Sequence, residues 1–127
     1  MNFIPLGFYP DGLYRTELCM NFSELKKELK TITFDALRKD EEMYFEIVVV
    51  KSELEKLTGV LEKCFGPPAW NSTKGKLTSE MQEAINEFGG VIAGQTLYFW
   101  SDGKTRVFGM LWPWQDHEHI TLKTGQK

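Results

Sequence analysis

The feature that most constrains this chain is a run of three β-rich segments near its C-terminal end, separated by two turn signals. Thr96–Trp100 and Thr105–Trp112 flank Asp102-Gly103, and His119–Lys123 follows the polar stretch Gln115–Glu118. Asp-Gly between apolar runs favours a tight turn with positive φ, and so an antiparallel hairpin. A two-residue loop would pair Ser101 with Lys104, Trp100 with Thr105, Phe99 with Arg106 and Tyr98 with Val107. Side chains alternate along a strand. One face therefore carries Leu97, Phe99, Arg106, Phe108 and Met110, and the other Thr96, Tyr98, Trp100, Val107 and Leu111. Both faces are largely apolar, so one should bear helices and the other needs a second cover.

The segments upstream supply those helices. Asn21 with Glu24 three residues later resembles a capping box, and Phe22, Leu25, Leu29 and Ile32 recur at helical spacing, with an end near Lys30. Phe34–Lys39 reads as a further short turn with Phe34 and Leu37 inward. Tyr44–Val50 is almost continuously apolar, which predicts an internal strand buried on both faces. Ser52 and Glu55 predict a second capping box, with Leu54, Leu57, Leu61 and Cys64 as the inward stripe. Gly66-Pro67-Pro68 is a strong helix stop. After a loop over 67–77, a third helix begins at Thr78 or Ser79, with Gln82 reciprocally capping Ser79. It buries Met81, Ala84, Ile85 and Phe88 and ends at Gly89-Gly90. Near the start, Asp11-Gly12 permits a hairpin.

This order predicts one α+β domain over residues 1–127. Its sheet is mostly antiparallel, with about four to six strands ending in the three-stranded meander, and two to three helices pack on one face. The length suits a single domain, and 42% hydrophobic and 13% aromatic residues exclude bulk disorder. No apolar run approaches the ~18 residues of a membrane-spanning helix. The net charge of −3 lies in residues 1–63, with 9 basic and 12 acidic side chains, whereas residues 64–127 carry 6 of each. No basic stretch marks a duplex nucleic-acid binder. Only two cysteines occur, Cys19 and Cys64, with no CxxC pair. Together with a first segment that lacks signal-peptide character, this predicts a cytoplasmic protein with reduced thiols.

Four constellations are candidates for function. All four tryptophans lie in the second half. Trp70, Tyr98, Trp100, Trp112 and Trp114 form an aromatic set suited to a flat ligand or a protein partner. Trp70 follows the Gly-Pro-Pro stop, and Trp114 follows the strand-breaking Pro113, so these two are the better expectations for an exposed surface. His117 and His119, at strand spacing i,i+2, share one face, but two histidines fall short of the usual metal ligand count, and no metal or cofactor is expected. Lys74-Gly75-Lys76 precedes a helix N-terminus, yet it lacks the spacing of a phosphate-binding loop. Glu46, alone in an apolar strand, is expected to pair with Arg106; with His117 and His119 these two would furnish the polar groups of a pocket.

Cys64 falls in the inward stripe near a helix C-terminus, which disfavours a thiolate nucleophile. The expected function is a non-enzymatic binding or protein-interaction domain working through its aromatic-rich surface, with a protein partner or self-association. The alternative is a small enzyme or ligand-binding protein with a pocket at Glu46, Arg106, His117 and His119.

Overall fold

The computed structural model describes residues 21–71, 74–88 and 94–127. The expectations for Asp11-Gly12, Cys19 and Gly89-Gly90 lie outside them. The chain runs through α1 (Phe22–Leu29), β1 (Ala36–Glu41), β2 (Tyr44–Val50), a 3-10 turn (Lys51–Glu53) and α2 (Leu54–Phe65). It continues through β3 (Trp70–Asn71), β4 (Lys74–Gly75), α3 (Ser79–Ile85), β5 (Thr96–Ser101), β6 (Arg106–Pro113) and β7 (His119–Gln126). This is an α+β fold. All paired strands are antiparallel, in the order β1-β2-β7-β6-β5-β3-β4. Among the described residues the sheet has five longer strands, within the four to six expected, and seven when two-residue pieces are counted. The additions are the two-residue β3 and β4, within the stretch expected as a loop.

Local chemistry accounts for the helix ends. The Asn21 side chain accepts the Glu24 N–H at 3.3 Å, and Thr78 Oγ1 accepts the Met81 N–H at 3.1 Å. Thr78, not Ser79, is thus the cap of α3. The α2 stop falls at Gly66, where φ is +81° and the N–H bonds Glu62 O. The capping box expected at Ser52 and Glu55 does not form. The chain winds first through the 3-10 turn, and α2 starts without a side-chain cap. Its entry is held instead by the Lys51 N–H, which donates to Glu118 O at 2.7 Å just before β7.

Of the short inward turn expected at Phe34–Lys39, Phe34 does pack against the core cluster, but the chain from Ala36 on forms the edge strand β1, every residue of which is exposed, Leu37 at 52%. It forms because β2 presents unpaired backbone groups along one side, and β1 fills them with a register irregularity between Leu37 and Lys39. Asp40 anchors it to α1 through Lys26 and Lys30, each 2.9 Å away. Charged residues on such an edge also discourage pairing with other chains.

The sheet is buried on both sides. Phe45, Ile47, Val49, Tyr98, Val107, Leu111, Ile120 and Leu122 share one cluster with Phe22, Leu25 and Leu29 of α1 and Leu57, Leu61 and Cys64 of α2. Leu97, Phe108 and Met110, one residue out of phase, join Ala84 and Ile85 of α3. Two helices therefore lie on one face, and the third covers part of the opposite face. Cys64 is disulfide-bonded, contrary to the expectation of a reduced thiol. No helix among the described residues is long and apolar enough to cross a membrane.

Candidate functional site

A cleft with a volume of about 400 Å³ opens at the end of the sheet where β6 passes into β7. Its floor comes from Thr96 and Tyr98 of β5, Leu111 and Pro113 of β6, and Ile120 of β7. These residues share the face that carries α2, as the register pairs Thr96 with Leu111 and Pro113 with Ile120. Leu54 and Thr58, from the first turns of α2, form the opposite wall, with Pro68 and Asn71 beside them. Lys51, Trp114, His117 and His119 complete the lining. Burial raises the Tyr98 hydroxyl to about 12, so the floor stays neutral at physiological pH.

The histidine rim is built by its own turn. Asp116 Oδ1 accepts the N–H groups of Glu118 at 2.8 Å and His119 at 3.0 Å, while Oδ2 meets His119 Nδ1 at 2.6 Å. His117 occupies the left-handed region at φ 60°, which reverses the chain. The Trp114 N–H bonds His119 O at 2.8 Å and closes the turn. The Trp114 ring then lies 4.7 Å from the His119 ring, with its indole N–H donated to Thr121 Oγ1 at 2.8 Å. The backbone bond from Glu118, and next the His119 ring, lower the Asp116 carboxyl to about 2. In turn the Asp116 carboxylate raises His119 above its ordinary value, and Asp35 and Glu118 add to the effect. Asp35 stands 3.6 Å from His119 Nε2.

The other expected residues disperse. Trp114 is exposed, at 37%. Trp70 is half-buried against the α3 cluster, and Trp112 packs there too, with the Lys123 ammonium 4.2 Å from its ring centroid. Trp100 packs against the α1–α2 cluster, and Tyr98 is buried. The aromatic set therefore spans both faces of the sheet and forms no single platform. Glu46 does not pair with Arg106. It accepts from the Tyr44 hydroxyl at 2.7 Å and lies 4.0 Å from Arg38, on the face opposite the cleft. Arg106 binds Glu80 and Glu83 of α3 at 3.3 and 3.4 Å, at the other end of β6. Of the four polar residues, only His117 and His119 come together.

Sequence reasoning missed Lys51, Leu54, Asn71 and Ile120 as neighbours. They meet only through the sheet order, and no spacing signal announces that. Among the described residues, no group of three or more His, Cys, Asp or Glu side chains is placed to hold a metal ion. No protein-family model matches the chain, and comparisons with curated proteins and solved structures return no match.

Proposed function

We propose that this chain is a non-enzymatic binding module that takes a small, largely apolar ligand in the end cleft. One observation carries the reading: an apolar floor and wall about 400 Å³ in volume meet an exposed tryptophan and two histidines at one rim. Small-molecule sites are typically apolar concavities of roughly 300–1,000 Å³ with a few convergent polar groups. A flat neutral probe, 2-naphthamide, tests it by nuclear magnetic resonance. Shifts centred on Leu54, Leu111, Ile120 and the Trp114 indole are expected. No shift at millimolar probe, or shifts confined to the opposite face, would overturn the reading.

A protein partner or self-association is the second reading. Exposed Leu37, Met43 and Trp114 support it as contact points. Sedimentation showing a concentration-independent monomer would remove self-association. The cytoplasmic placement expected from sparse cysteines is opposed by the disulfide at Cys64, because such bonds persist mainly in oxidising compartments.

A further inference from the structure

We infer that the cleft takes an apolar ligand with one uncharged hydrogen-bond acceptor, a ketone-type carbonyl, and that the Tyr98 hydroxyl on the cleft floor donates to it. This rests on the binding role proposed above and adds the chemical class of the ligand. Tyr98 is only 2% exposed, yet it lines the cleft. The register places it on the right face: Tyr98 is in phase with Thr96, which pairs with Leu111 of the same floor. Its ring meets that of Phe65, on α2, with centroids 5.9 Å apart. The side chain therefore reaches from the sheet towards α2, not towards α3.

The hydroxyl at its tip has no hydrogen-bond partner among the described residues. Two side-chain polar atoms among those residues are sealed from solvent without a partner, Glu53 Oε1 and Trp112 Nε1. The Tyr98 oxygen is not one of them, so it keeps an opening, and the cavity that Tyr98 lines is this cleft. Thr58, the hydroxyl on the facing wall, already donates to Glu55 O at 3.2 Å. A nearly buried hydroxyl is ordinarily hydrogen-bonded, because leaving it unmatched is costly. A ligand filling the cleft excludes water from this oxygen, so a ligand with its own acceptor is the one that keeps the proton paired. The acceptor is uncharged for two reasons. Burial keeps the phenol protonated at neutral pH and penalises an anion beside it in the same way. The Glu62 charge, which also raises the Tyr98 pKa, repels a second negative charge at this depth. An acceptor suits Tyr98 better than a donor does, because the phenol oxygen shares its lone pair with the ring and gives a hydrogen bond more readily than it takes one.

The test compares acetophenone with α-methylstyrene on the full chain, followed by nuclear magnetic resonance at the cleft signals. The two probes share a shape and differ in C=O against C=CH2. In Tyr98→Phe the ketone is expected to bind about fivefold more weakly, the scale of one neutral hydrogen bond, while the alkene holds its affinity. The variant should also keep or raise the urea midpoint, since the lost hydroxyl has no partner in the protein. In the unaltered protein the bound ketone's C=O stretch should lie below its value in an apolar solvent. Equal losses for both probes would assign Tyr98 a packing role and overturn the inference, as would no loss for either. A stretch matching the apolar solvent, or a clearly lower midpoint in Tyr98→Phe, would overturn it too. In each of these cases the binding role stands. If neither probe binds, the binding role falls and takes the inference with it.

Discussion

At the scale of single residues, the informative unit is Asp116 with His119. One carboxylate serves two purposes: Oδ1 ties down the turn backbone, and Oδ2 sets the imidazole. The two shifts act in opposite pH directions. Asp116 falls from 3.8 to about 2, so its contribution is present above 3.8 and fades as pH drops towards 2. His119 is raised from 6.5, so its contribution is complete below 6.5 and is lost as pH climbs through the folded value. The rim is therefore held most firmly between these limits. Asp116→Asn should lower the His119 pKa, read from the ring proton shifts against pH. An unchanged titration would mean that Asp116 is not what sets it. Trp114 shows what a sequence can disclose at this scale. Proline at 113 ends the strand ladder, and the indole beyond it is the exposed one. Trp70 follows a comparable break, but the β3–β5 pairing carries it against the α3 cluster.

Among the elements, the short β3–β4 pair depends on one glycine. Gly75 sits at φ +90°, and a Cβ there would come 2.3 Å from Ala69 O. Backbone of this kind has no room to yield, so Gly75→Ala should destabilise the protein by about 1–3 kcal/mol, read as a lower urea midpoint. A midpoint equal to that of the parent would show that the pair can re-form around a side chain. The elements also divide by how they are encoded. Helix ends were legible because Asn21 and Gly66 act on their own backbone. β2 was legible because its apolar run has few alternatives. β1 was not, since Ala-Leu-Arg-Lys-Asp-Glu carries no strand pattern and pairs because β2 leaves an edge open. The β5–β6 hairpin is intermediate. Its loop spans 102–105, because the Asp102 carboxylate captures the N–H groups of Lys104 at 2.9 Å and Thr105 at 2.7 Å. Tyr98 then pairs with Gly109 rather than Val107. A shift of two residues preserves the pleat, so the expected face of every side chain survived the register error. The cleft was far less legible, because its floor and wall come from segments that meet only after the sheet is ordered.

For the molecule as a whole, the disulfide at Cys64 is a covalent tie that can be tested directly. Cys64 is fully buried on the inner face of α2, where a thiol would be inert core. Alkylation of the denatured, unreduced protein should leave Cys64 unlabelled, and reduction should cost about 2–4 kcal/mol of stability. Complete labelling before reduction would restore the cytoplasmic expectation. The strand order has a consequence for synthesis. β7 lies between β2 and β6, so residues 119–126 join the early β1–β2 hairpin to the later β5–β6 hairpin. Domains tend to fold as units while the chain emerges from the ribosome. Here the emerging chain has no sheet centre until its final described strand appears. Until then β2 and β6 each present an open, apolar flank, and this is the interval in which a nascent copy most needs a chaperone.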